Sequence, residues 1–447
     1  MKKFLNSIFS IIILLTMSVL SYGQNNNFAQ IDFKEYDLKN GLHVILYKDN
    51  TNPIVSVNIW YHVGAKDEDS GRTGFAHLFE HMMFQGSANI GKTEHFNYIQ
   101  KAGGTLNGTT NQDRTNYFAS VPSNQLELLL WLESDRMSTL QVTQENFDNQ
   151  REVVKEEKRQ RYDNAPYGSR WEEMMKRLFR EQTYEWTPIG SMDDLNSADL
   201  DYAKNFYKKY YSPDNAVLVV SGDFEYETAE KLIKKYFDDL KPAGTVKNKY
   251  EEIIFNQGEI NDTIYDNVQL PAVYIGYKIP GTTHNDIYAI TLLTMVLGDG
   301  KSSRIYNDIV YNKKSARSAG SFLWDNEIGG MLIVTASAFK NTDPVNLLND
   351  ITANIQKISD EGITEKELEK AKNSIEHDYV NMMQSTLRIA DELANYYTFF
   401  KNTGLINTAL NEYMKITAED VRNAAKKYLV NENRVVLTYL PKPGNNK

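Results

Sequence analysis

Read for alternation and for helical spacing, the chain resolves into two similar series of elements. In the first, apolar runs predict strands near Tyr36–Tyr47 and Ile54–His62, then an apolar helix from Phe75 to Phe84 built on Phe75, Leu78, Phe79, Met82 and Met83. A strand at Asn116–Val121, helices over Leu126–Met137, Thr143–Arg161 and Asp199–Tyr211, and a strand at Ala216–Gly222 complete it. The second series has strands at Ala272–Lys278 and Gly330–Ala338, a helix over Ile287–Leu297, and helices starting at Pro344 and Glu365. The registers repeat as well. Thr143-Gln-Glu-Asn-Phe147 matches Thr364-Glu-Lys-Glu-Leu368, and Lys208-Lys209-Tyr210 with Asn215 and Val217 matches Lys426-Lys427-Tyr428 with Asn433 and Val435. Near-equal offsets over separated segments indicate a duplicated unit. Strands and helices intermixed with hairpin signals place the chain in the α+β class.

Ionisable residues interrupt the Phe75–Phe84 helix at His77, Glu80 and His81. Positions i and i+4 lie one above the other on a helix with i+3 beside them, so the two imidazoles and the carboxylate share one face. Charged groups on a mostly buried helix are costly unless they have partners. The order H-x-x-E-H mirrors the H-E-x-x-H zincin helix, an arrangement called inverzincin. Zinc suits two imidazoles and an oxygen ligand with a fourth position left for water, and a nearby carboxylate can accept a proton from that water.

The chain has no cysteine, so a third protein ligand must be His, Asp or Glu. The segment from Thr143 to Arg161 lacks Gly and Pro and offers Glu152, Glu156 and Glu157. Taking about 100° per residue from Phe147, Val153 falls at about 240°, Glu157 at about 280° and Val154 at about 340°, with Glu156 and Glu152 on the other side. Glu157 is thus the carboxylate on the apolar face, where it calls for a cation. A metal ion meets that need; so does a plain ion pair with Arg161 at i+4.

This constellation resembles the pitrilysin (insulinase) family of zinc peptidases, and within it the shorter bacterial branch related to the mitochondrial processing peptidase. The likeness spans nearly the whole mature chain. It includes Gly74-Phe75-Ala76, Gly86, the segment from Gly103 to Thr110, Arg151-Glu152-Val153-Val154, and the interval from His81 to Glu157. It implies that His77, His81 and Glu157 hold one zinc ion per chain and that Glu80 is the general base of an endopeptidase acting on unfolded peptides or small exported proteins. Asn107 matches the family's asparagine on a strand that pairs with the substrate backbone, and a Gly/Thr-rich strand suits such β-augmentation. Asp113 stands where relatives often carry Glu and is expected to orient a ligating histidine. Gln150 replaces a glutamate common in relatives, which leaves no role to assign there.

The resemblance also implies two α/β-roll halves, each an antiparallel sheet with helices packed on one face, together forming half of a clamshell. The expected divisions are a zinc-binding half over 28–240, a linker over 241–258 and a homologous half over 259–445 without metal ligands. Its counterpart of the metal helix, around Ile290–Leu297, contains no His, Glu or Asp. Many relatives carry an Arg and a Tyr in their second half that hold the substrate; Val310 and Arg317 occupy those places here. The expected partner is therefore a metal-less homologous subunit supplying that pair, with a homodimer as the other arrangement. A non-catalytic scaffold subunit is the competing function, but such members usually lose the metal residues that this chain retains.

Other features narrow the classes. Lys2 and Lys3, the apolar run Ile8–Leu20 and Ser21-Tyr22-Gly23 read as a secretory signal peptide over 1–23, with Gln24 as the mature N-terminus. An uncleaved anchor is the alternative, although the run is short for a bilayer. An exported, periplasmic or secreted protein without stable membrane insertion is expected. A net charge of −10 argues against a nucleic-acid partner. Gly298-Asp-Gly-Lys301-Ser302 lacks the first glycine of a phosphate-binding loop, and no G-x-S-x-G elbow is present.

Overall fold

The computed structural model describes residues 30–244, 250–340 and 342–443. The expected signal peptide lies outside the described residues, as do positions 245–249 of the expected linker. The elements named below belong to one body beginning at Phe33.

The first sheet comprises β1 (Lys34–Asp37), β2 (His43–Lys48), β3 (Ile54–Tyr61), β4 (Thr105–Thr110), β5 (Thr115–Pro122) and β6 (Ala216–Gly222), in the order β1-β2-β6-β3-β5-β4. The single strand expected over Tyr36–Tyr47 is instead a hairpin. Lys39-Asn40-Gly41 turns the chain, with Leu38 N–H donating to Leu42 O at 2.9 Å and Gly41 at a φ of 89°. The second sheet comprises β7 (Ile260–Asp266), β8 (Ala272–Pro280), β9 (Ala316–Trp324), β10 (Gly329–Ala338) and β11 (Arg434–Pro441), in the order β7-β11-β8-β10-β9. β7 and β9 escape the sequence reading because they lie at sheet edges, where few of their residues are buried.

The two sheets share one topology. Each is antiparallel except for one parallel pair, β2 with β6 and β7 with β11. Without β1, the remaining strands correspond one to one in order and direction. The fold is α+β with two similar halves, as expected.

Five helices carry the candidate site and the contact between the halves. In the first half these are α1 (Phe75–Met82), α2 (Gln144–Lys158) and α3 (Arg170–Leu178); in the second, α4 (Ile287–Gly298) and α5 (Thr386–Asn395). α1 buries Phe75, Leu78, Phe79 and Met82 in the first core, while α4 buries almost its whole circumference in the second. α3 and α5 cross over. Met174, Met175 and Leu178 of α3 pack with Met331, Ile333 and Leu437 of the second sheet, and α5 lies on β3 and β6 of the first. Helices on one face describe each half alone; the second face of each sheet is covered by a helix from the other half. The segment 250–258 makes its own contacts along this junction, with Ile253 buried and Ile254 O accepting from Lys278 Nζ at 2.7 Å.

Candidate metal centre

α1 is fixed at both ends before its polar face matters. Gly74 precedes it at a φ of 93°, where a Cβ would lie 2.8 Å from Ile189 O, so glycine is needed for both conformation and space. The buried Glu68 carboxylate accepts from Gly74 N–H at 2.9 Å and Ala76 N–H at 2.8 Å, satisfying donors that a helix start leaves open. Burial pushes Glu68 up to about 8 despite those donors. Farther along, Tyr117 Oη donates to Phe79 O at 3.1 Å and ties the helix to β5.

With its apolar side committed to the core, α1 turns His77, Glu80 and His81 toward α2 and β4. The rings of His77 and His81 lie 4.9 Å apart, inclined at 75°. α2 starts where Thr143 Oγ1 accepts from Asn146 N–H at 3.2 Å. Of the three candidate carboxylates on α2, Glu157 turns inward, with its side chain 17% exposed against 56% for Glu152 and 54% for Glu156. Val153 is 43% exposed, so it does not belong to the buried face as expected. That face runs through Phe147, Gln150, Val154 and Lys158, and Glu157 sits at its margin.

Glu157 Oε2 lies 3.4 Å from His81 Nε2 and 3.8 Å from His77 Nε2. One ligand atom from each of the three residues fits within a spacing of 4.8 Å. That donor set, two imidazoles and a carboxylate, is the one zinc favours in an open site. Burial and the neighbouring His81 push His77 down to about 4, which keeps its ring neutral and able to donate a lone pair to a cation. Contact with His81 holds Glu157 below the usual carboxylate range. The Arg161 ion pair forms as well: Arg161 Nη1 is 2.7 Å from Glu157 Oε1, on a wide helical turn over Arg159–Asp163. It engages the other carboxylate oxygen, leaving Oε2 toward the imidazoles. The residues fit a divalent metal ion.

Glu80 lies on the same face of α1. Burial raises its pKa, partly offset by the Thr110 hydroxyl and the charge of His81. β4 can pass this close because of Gly108, where a Cβ would sit 3.2 Å from Glu80 Cγ. Among the described strands β4 pairs with β5 alone, so its outer edge carries unpaired backbone groups, and Asn107 on it is exposed.

Asp113 corrects the expectation placed on it. Its Oδ1 accepts from Tyr184 Oη at 2.6 Å and its Oδ2 from Glu327 N–H at 2.9 Å, with Lys66 Nζ 3.3 Å away. Among the described residues, no hydrogen bond joins it to either imidazole. It belongs to a buried ionic junction between the halves, because the turn after β4 carries it toward the β9–β10 turn. Sequence reasoning misses Glu68, Thr110 and Gly108. The polar loop before α1 and the glycine within a strand beside the motif are the available signals.

Similarity to known proteins agrees with this geometry. Residues 43–190 match the family profile described as insulinase (peptidase family M16), and residues 197–375 match the peptidase M16 inactive domain. The chain is 30% identical over 395 residues to zinc protease PqqE of Helicobacter pylori, covering 88% of this chain and 89% of that one. A crystal structure of a protease from Helicobacter pylori superposes with a TM-score of 0.88 at 28% identity, over 92% of this chain and 100% of the other. The periplasmic protease PqqL from Escherichia coli shares the fold at a TM-score of 0.73 and 19% identity, over 91% of this chain but 47% of that longer one. Among the described residues, no helix is long and apolar enough to cross a membrane.

Proposed function

Because the chain belongs to the insulinase (M16) family of peptidases, we propose that it is a zinc-dependent endopeptidase cleaving unfolded peptides or small exported proteins. The observation that carries this reading is the convergence of His77, His81 and Glu157 within 4.8 Å, with Glu80 on the same helix face. In it, His77, His81 and Glu157 hold the metal ion. A zinc ion bound there supplies Lewis acidity toward water and a peptide carbonyl.

The chain's own residues do the rest. The free edge of β4 pairs with an extended peptide, with Asn107 contributing to that alignment. Glu80 takes a proton from the attacking water and delivers it to the leaving amide nitrogen. Its partial burial favours the protonated form and so suits the second transfer. The division into a zinc-binding half over 28–240, a linker over 241–258 and a metal-less half over 259–445 belongs to the same proposal. So does export through the 1–23 segment. Pairing with a homologous metal-less subunit, or with a second copy of this chain, belongs to it as well; the longer PqqL chain, matched over 47% of its length, has room for a second unit of similar size.

The test is Glu80→Gln in the zinc-loaded protein. Peptide hydrolysis is expected to fall by about 10²–10⁴-fold while bound zinc, read by elemental analysis, stays at the parent level. Undiminished hydrolysis removes Glu80 from the chemistry. A parent protein that binds zinc but cleaves no peptide favours the scaffold alternative.

A further inference from the structure

Among the described residues, buried cations come with a carboxylate. Lys66, Arg136, Lys158 and Arg434 are each 7% exposed or less, and each has one within 3.0 Å. Lys278, on β8, is the exception. It is 3% exposed, yet no carboxylate among the described residues pairs with it. The remaining residues, 1–29, 245–249, 341 and 444–447, contain no Asp or Glu. No side-chain carboxylate of the chain is therefore left to neutralise Lys278.

Instead, Lys278 Nζ donates to two neutral acceptors, Ile254 O at 2.7 Å and Gln257 Oε1 at 2.5 Å. An ammonium has three N–H groups, so one donor and the whole charge remain uncompensated. Burial lowers its pKa to about 8, which still leaves it mostly protonated near neutral pH. A cavity of about 220 Å³ adjoins it, with Lys278 and Gln257 both in the wall. The first half contributes the end of α3 to that wall, and the second contributes the start of β11. Arg177 is engaged by Glu173 and Asp262. Arg180 is 72% exposed and its guanidinium meets Glu181 at 3.5 Å, a surface pair that contributes little, so it can turn inward. Glu181 and Glu432 also line the cavity, but both are exposed and neither acts on Lys278. A neutral guest would leave the ammonium as it is. An anion supplies the missing charge and accepts the third N–H.

We propose that this cavity is an anion site in which Lys278, with Arg180 closing from the surface, takes a small oxyanion, a phosphate or a carboxylate. None of its wall belongs to the metal centre, so the site stands whether or not the chain is a peptidase. Its wall joins α3, the segment that links the halves, β8 and β11. Occupancy therefore ties the halves together, and a ligand that binds only the folded joint stabilises it by mass action.

The experiment titrates the zinc-loaded protein with inorganic phosphate and, separately, with acetate, near neutral pH and at fixed ionic strength, and reads binding by calorimetry. Phosphate presents a free oxyanion, and acetate the group that a polypeptide carboxylate would offer. Saturable binding of at least one is expected, and the one that binds names the source. Lys278→Met keeps the packing of the stem but removes the charge, and should weaken that binding by about 10–100-fold. Arg180→Glu, at an exposed position where the fold is not at stake, should weaken it by about tenfold. Anions that bind at the metal centre do so equally in parent and variants, so the difference isolates this cavity. The same anion should raise the urea midpoint of the parent more than that of Lys278→Met, because the general effect of salt is common to both. A parent that binds neither anion overturns the site, as does an affinity unchanged by Lys278→Met. Should that variant fail to fold, an affinity unchanged by Arg180→Glu overturns it instead.

Discussion

The two halves share one sheet topology but put opposite demands on the helix that follows the strand at each sheet's centre, β3 or β8. α4, from Ile287 to Gly298, carries no charged side chain and no histidine, and is packed nearly all round. α1 keeps only Phe75, Ala76, Leu78, Phe79 and Met82 in the core and turns three ionisable groups outward. Those groups become tolerable only where α2 supplies Glu157 and where Gly108 lets β4 close over Glu80. Duplication thus provides the scaffold twice and the chemistry once. The half relieved of it is free to cover, brace and shape.

The sharpest way to break this contrast is to remove the group α2 lends to α1. Glu157→Gln should weaken zinc binding by at least about 100-fold, since loss of a direct ligand exceeds the 10–100-fold typical of outer partners. Glu156→Gln, one residue away but 54% exposed, should leave zinc affinity within about twofold of the parent. Competition with a chromophoric chelator measures both. Equal losses, or none in either, would mean that α2 does not hold the ion and that the two halves differ less than their geometry suggests.

A second pair of changes compares the crossing helices. α3 meets the second sheet through apolar contact so close that a Cβ on Gly276 would lie 2.6 Å from Met174 Sδ. α5 meets the first sheet through a polar anchor: Asp391 Oδ1 accepts from Asn58 Nδ2 and Trp60 Nε1, each at 3.0 Å. Met174→Ala should cost about 2–5 kcal/mol by cavity formation. Asp391→Ala should cost about 1–3 kcal/mol through the donors it strands. Urea unfolding of the apo proteins checks the order. A larger loss at Asp391 would show that the polar crossing, not the apolar one, braces the halves.

What the sequence reveals depends on the range over which its signals act. His77, Glu80 and His81 are legible because helical spacing is local, and Glu157 because its helix can be projected onto a wheel. Even there the wheel puts Val153 on the wrong side, since a projection anchored on Phe147 does not know where the neighbouring core lies. The chain reversal at Asn40-Gly41 escapes although its turn chemistry is local, because apolar residues on both sides suggest one strand. Asp113 is not legible at all. Its partners Tyr184 and Glu327 are distant in sequence, and no pattern near Asp113 announces them. The crossing of α3 and α5, and therefore the cavity beside Lys278, is likewise a property of two halves packed together.

The smallest effect expected concerns that same junction around Asp113. Lys66 is fully buried there, with Nζ 3.0 Å from Glu327 Oε2, and His62 Nε2 lies 2.7 Å from the same oxygen. Burial alone would raise Glu327, but the His62 hydrogen bond and the Lys66 charge overcome it and hold the carboxyl at about 2. A carboxyl whose folded pKa lies below its ordinary 4.5 adds stability that is present above that ordinary value and lost as pH falls toward about 2. The shift corresponds to at most about 3 kcal/mol, reduced to about 1–2 kcal/mol because part of the side chain meets solvent. Urea midpoints of the parent and of Glu327→Gln, compared between about pH 5.5 and about pH 2.5, isolate this contribution, since every other carboxyl is common to both proteins. The parent should lose more stability over that interval than the variant. Parallel pH slopes would mean that the carboxylate the second half lends to this junction contributes nothing as a charge, and that apolar packing braces the halves without it.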